Sequence, residues 1–86
     1  MRFLALTLLT IITTSALAQE VPNCARVADI AAAIRANNTQ RARDLATNAT
    51  GLEIQIAQVG ERKAPTHLGP REVRDGVLRA CLKTAG

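Results

Sequence analysis

Gly51-Leu52-Glu53-Ile54-Gln55-Ile56-Ala57-Gln58-Val59-Gly60 is the stretch on which the fold turns. Two periodicities compete in it. Leu52, Ile54 and Ile56 alternate with polar residues, are rich in β-branching and sit between two glycines, as a short strand does. The same segment also continues a helical pattern. Ala42, Leu45, Ala49, Leu52, Ile56 and Val59 follow one another in alternating steps of three and four, which makes a heptad seam. Thr47-Asn48-Ala49-Thr50-Gly51 is poor helix material, and Gly51 costs about 1 kcal/mol relative to Ala in a helix interior. What tips the balance lies outside the segment. No second good strand exists in the chain, and a lone strand leaves its backbone groups unpaired. The expectation is a second helix after Thr39, the cap, kinked or broken at Gly51. A strand over 52–59 remains the rival reading, and it would have to pair with a second copy or with a partner.

The flanking segments are helical by clearer signals. Asn23 can cap a helix from about Cys24 to Asn37, where its side-chain oxygen accepts from a free N–H of the first turn. Val27, Ile30, Ala31 and Ile34 form one apolar stripe in it. Asn37-Asn38 ends it, because Asn tolerates the left-handed conformation used at helix ends. Gly60 to His67 reads as a loop. The last helix has Gly69 at its cap, Pro70 at its first position and Glu72 placed to reach back to the cap. Leu68 and Val73 occupy the two positions of a hydrophobic staple. Val73, Val77, Ala80 and Cys81 make its stripe, widened by Leu78 and Leu82, and Thr84-Ala85-Gly86 is expected to fray. The expected fold is all-α: a small bundle of about three helices stapled by one disulfide. Its expected core is Val27, Ile30, Ile34, Leu45, Leu52, Ile56, Val59, Leu68, Val73, Val77, Leu78 and the two cysteines.

Residues 1–18 read as a secretory signal peptide. Met1-Arg2 starts it, Phe3 to Ile12 is apolar apart from Thr7 and Thr10, and Ala16-Leu17-Ala18 is a small-x-small cleavage site. The apolar run is shorter than the roughly 20 residues a membrane span needs. Val21-Pro22-Asn23 before Cys24 does not resemble a lipoprotein signal, so no stable membrane anchor is expected. Cleavage between Ala18 and Gln19 leaves one small domain, residues 19–86, in a periplasmic or secreted location. The oxidising compartment suits a Cys24–Cys81 disulfide, the one intramolecular pairing available. It would close nearly the whole domain, which matters because a core this small rarely supplies more than about 3–5 kcal/mol.

The whole chain carries a formal charge of +4. Without Arg2, ten basic residues stand against seven acidic ones, a side-chain charge of +3. The basic residues are scattered, as on a solvated mixed-charge surface. The single aromatic, Phe3, lies in the leader. With no ring to stack on bases, nucleic acid is not an expected partner.

Catalysis finds little to work with. His67 is the only histidine, there is no CxxC, and no Gly-rich phosphate loop or serine nucleophile motif occurs. Glu72 with Asp75, and Glu53 with Glu61, have Arg or Lys nearby and read as surface ion pairs. The sequence therefore predicts a non-enzymatic protein with no cofactor and no metal. Asn37-Asn38-Thr39 and Asn48-Ala49-Thr50 match the glycosylation triplet, which has meaning only in a eukaryotic secreted chain. The leading expectation is a small protein that binds another protein, with Leu52, Ile54 and Ile56 as candidate contacts. Oligomeric state is left open.

A cleaved leader, an all-helical domain, and a long-range disulfide with its second cysteine in a late helix after Gly69-Pro70 together give a loose resemblance. The chain resembles the small periplasmic acid-stress chaperones of the HdeA type. It departs from them in lacking aromatics and in its surplus of Arg. The resemblance implies a chaperone that opens in acid. Protonating seven carboxylates and His67 would raise the side-chain charge from +3 to about +11 and promote expansion by self-repulsion. A cationic membrane-surface binder ranks last, for no helix has a lysine-rich face with aromatic anchors.

Overall fold

The computed structural model describes residues 21–85. The proposed leader and its cleavage site lie outside them. Four helices make up the described chain: α1 (Cys24–Arg35), α2 (Thr39–Thr47), α3 (Gly51–Lys63) and α4 (Pro70–Ala85). There is no strand among the described residues, so 52–59 is helical and the strand reading is overturned. The reason is local. The Thr50 hydroxyl accepts from the Glu53 N–H at 3.1 Å, while the Glu53 carboxylate accepts from the Thr50 N–H at 3.0 Å. This capping box starts a new helix at Gly51, so the glycine stands at a first helical position rather than in an interior.

The expected second helix is thus two helices. α2 ends at Thr47, and Asn48 and Ala49 turn the chain before Thr50. Its cap is Asn38, not Thr39: Asn38 Oδ1 accepts from the Arg41 N–H at 3.2 Å. α1 begins as expected, with Asn23 Oδ1 accepting from the Arg26 N–H at 3.1 Å. It stops two residues before Asn37, which lies at φ 56° in the left-handed region. The Asn37 N–H donates to the Ile34 carbonyl and the Asn38 N–H to the Ala33 carbonyl, both at 3.0 Å. That pair of bonds closes a Schellman turn, which an asparagine with positive φ makes possible.

α1 is the centre of the fold. It packs against α2, α3 and α4, whereas α3 and α4 touch each other far less. The Cys24–Cys81 disulfide joins the start of α1 to the end of α4, with Cα atoms 5.6 Å apart. Arg74 Nε donates to Asp29 Oδ1 at 2.8 Å further along the same pair. α1 and α4 are therefore antiparallel. Arg26 meets Glu53 and Arg35 meets Glu61, so α1 and α3 run parallel, with α2 as the crossover between them.

Val27, Ala28, Ile30, Ala31 and Ala33 of α1 are buried, with Ala57 of α3 and Val73 and Val77 of α4. Alanines let the three neighbours close on α1, because a helix crowded on several sides has room only for short side chains. Ile34, Leu45, Ile56, Leu68 and Leu78 are partly buried around this centre. Leu52 is partly buried too. Val59 departs from the expected core: it is 37% exposed. The heptad seam does not face α1 along its whole length, because α3 turns Ala57 rather than Val59 inward.

Candidate functional site

On the side of α3 and α4 turned away from α1 lies an open apolar groove of about 1010 Å³. Leu52, Gln55, Ile56, Val59 and Lys63 wall it along α3. Glu72, Gly76, Ala80 and Thr84 wall it along α4, and Val73 and Val77 lie between the helices. Val21 and Pro22 border one end, and Pro65 and Leu68 the other. No residue of α1 or α2 lines it. The two glycines have opposite surroundings. A Cβ on Gly60 would stand 3.1 Å from Val77 Cγ2, so α3 and α4 approach closely there. A Cβ on Gly76 would meet nothing within 4 Å.

Of the contacts the sequence singles out, Leu52 and Ile56 stand together on this groove and Ile54 does not. Ile54 is partly buried elsewhere on α3. Alternate residues share a face in a strand, but in a helix a step of two carries a side chain to nearly the opposite side. Val59 and Ala80 are groove residues that the sequence pattern assigns to a core and to a stripe, and Gly76 joins them on the groove. Gly76 and Ala80, four apart on one helix, were the visible signal of a wall with little bulk.

Two polar clusters, one buried and one half-buried, fix α3 against α1. Glu53 is 3% exposed. Besides its bond to Thr50, its carboxylate accepts from the Asn23 N–H at 2.6 Å and from Arg26 Nη1 at 3.1 Å. It thus serves the N-termini of α1 and α3 together, where the helix dipoles favour an anion. These partners hold its pKa below the usual glutamate value: first the Asn23 N–H, then that of Thr50, then Arg26, against the opposing effect of burial. Sequence reasoning counted Glu53 among surface ion pairs, although Thr50-x-x-Glu53 is the capping-box signature.

The second cluster lies at the other end. Arg35 Nε donates to Glu61 Oε2 at 2.8 Å. Its Nη1 donates to the carbonyls of Pro65 and Leu68, and its Nη2 to those of Glu61 and Ala64. All five N–H groups of the guanidinium are used, and they tie the end of α3 and the following turn to the end of α1. His67 is exposed on that turn.

Among the described residues no group of three or more His, Cys, Asp or Glu side chains could hold a metal ion, and no helix is long and apolar enough to cross a membrane. Both cysteines are in the disulfide. The fold and groove define a small all-α domain whose prominent surface is an apolar cleft on a stapled scaffold. No protein-family model, no curated protein and no solved structure matches this chain.

Proposed function

We propose that this is a non-enzymatic protein, delivered by its leader to the periplasm or the exterior, that binds another protein through the groove between α3 and α4. The observation that carries this reading is the groove itself. A contiguous apolar cleft lies between α3 and α4, with Val59 37% exposed on its wall. Concave apolar surfaces between the helices of a bundle are common binding sites. A stapled scaffold also loses little conformational freedom on binding, which favours affinity.

Capture from periplasmic or secreted extract tests this reading, using the oxidised protein purified from cells that express the full chain. Saturable capture of a partner, lost in Val59→Asp and in Leu52→Asp/Ile56→Asp, is the expected result. Circular dichroism controls for folding, and Val59 is exposed enough to tolerate the charge. A partner held equally by Val59→Asp overturns the groove as the binding surface.

A second reading, the acid-opened chaperone, is supported by a separate observation. Each ion pair that joins α1 to α3 or α4 ends on a carboxylate: Glu53, Glu61 or Asp29. Protonation weakens each of them. A protein that stays compact and binds no apolar dye at about pH 2–3, below the ordinary carboxylate range, removes this reading.

A further inference from the structure

We infer that the groove is built to take one amphipathic α-helix with acidic flanks, seated between α3 and α4 opposite α1. This rests on the groove being the binding surface, and it names the shape and charge of what fills it.

The first argument is size. From Leu52 to Lys63 the groove follows α3 for about 18 Å at 1.5 Å per residue. Its volume of about 1010 Å³ then gives a mean cross-section of about 55 Å². A helix with its side chains is about 10–12 Å across, or about 80–110 Å² in section. The groove therefore accepts roughly half the girth of a helix and leaves the other half in water, which is the division an amphipathic helix presents.

The second argument is placement. α1 fills the space between α3 and α4 on one side, and the groove is the matching space on the other. Gly76 lies on its wall, where a Cβ would meet nothing within 4 Å. A mid-helix glycine weakens α4, and no neighbour in the described chain requires it. The space suits a helix backbone arriving from outside, since small residues permit close approach. Ala80, one turn on, extends the same low wall.

The third argument is charge. Lys63 lines one end of the groove. Arg79 and Lys83 are exposed and follow Gly76 and Ala80 by three positions, the spacing of neighbours on a helix face. None of the three pairs with a carboxylate among the described residues. Against them stands Glu72, while Asp75 is met by Arg74 Nη1 at 3.8 Å. The rim is net positive, which steers and orients an acidic occupant. It also disfavours a second copy of this chain, whose own groove rim is positive.

The test uses a fluorescein-labelled peptide of about 18 residues, long enough to hold a helix in water. It carries a Leu/Ala stripe flanked by Glu, and a twin carries Lys in place of each Glu. Anisotropy titration with the oxidised protein is expected to show saturable binding of the Glu peptide, with the Lys twin roughly tenfold weaker or worse. Gly76→Leu, whose Cβ would meet nothing within 4 Å, is expected to keep the fold and weaken binding by about tenfold or more. Arg79→Glu/Lys83→Glu is expected to reverse the preference between the twins. Equal binding of the twins, or full binding to Gly76→Leu, overturns the inference. So does palmitate binding in the groove with no peptide bound, which points to an anionic lipid instead. If the peptides fail while Val59→Asp still abolishes capture of a partner, only the helical occupant is wrong. If both fail, the groove reading falls with it.

Discussion

The Asn23 N–H donates to Glu53 Oε2 across two helix starts, at 2.6 Å. One buried carboxylate thereby orders the head of α1 and completes the capping box of α3. Burial of an anion is tolerated because its oxygens face backbone donors and the Arg26 guanidinium rather than apolar atoms.

The pH dependence of stability follows from that geometry. Glu53 has its folded pKa lowered, chiefly by the Asn23 N–H. Its contribution is therefore fully present above the ordinary glutamate pKa of about 4.3, and is lost as pH falls from there through the lowered folded value. Urea titrations are expected to show the midpoint falling over that acid window. Glu53→Gln lowers stability at neutral pH by about 1–3 kcal/mol, since its amide group cannot accept where a carboxylate oxygen did. The variant also loses part of the acid dependence. An unchanged acid slope in Glu53→Gln would show that other carboxylates carry it.

Reduction of the disulfide is the second test. Cys24 and Cys81 are 57 positions apart. The chain-entropy treatment assigns a loop of that size about 4 kcal/mol. A core this small rarely supplies more than about 3–5 kcal/mol by itself. Cys24→Ser/Cys81→Ser is therefore expected to leave a substantially unfolded population at room temperature, read as lost helical ellipticity. Full retention of ellipticity and of the thermal midpoint would mean that the α1 packing is sufficient alone.

Much of this fold was legible because its signals are local. Asn23, Pro70 and the cysteine pair each act within a turn or through a unique pairing, and they appear in the structure as read. Gly51 signals the break between α2 and α3, but the Thr50–Glu53 capping box that makes it was missed because Glu53 reads as a surface ion pair. The groove was less legible. Spacing shows that Leu52, Ile56 and Val59 share a face, but it does not show whether another helix covers that face. Arg35 was the least legible residue. Its partners lie 26 to 33 positions away, and nothing in the residues around it distinguishes it from an exposed arginine.

The two groove glycines give a paired prediction. Gly76→Ala adds a methyl group into open space in a helix interior, so it should stabilise the protein by about 1 kcal/mol. Gly60→Ala makes the same propensity gain but brings its methyl to 3.1 Å from Val77 Cγ2. Its net effect should be smaller by about 1 kcal/mol or more, the order of cost of overpacking a tight contact. Thermal melts of the two variants decide this. Equal stabilisation by both would mean that α3 and α4 are not in close contact at Gly60.

Arg35→Lys tests whether shape or charge matters at the lower end of the groove. Arg35 is 13% exposed and uses its whole donor fork on Glu61, Ala64, Pro65 and Leu68. A lysine keeps the charge but offers three donors from one point, so several of those carbonyls lose their partner. The expected cost is about 1–3 kcal/mol, the order of a few half-buried acceptors losing a charged donor. The loss should be local before it is global. Amide exchange should rise first in residues 61–68, where α3 ends, while the amides around Val27 and Val73 stay protected. If exchange rises evenly across the domain, Arg35 is coupled to the whole bundle instead of to this turn.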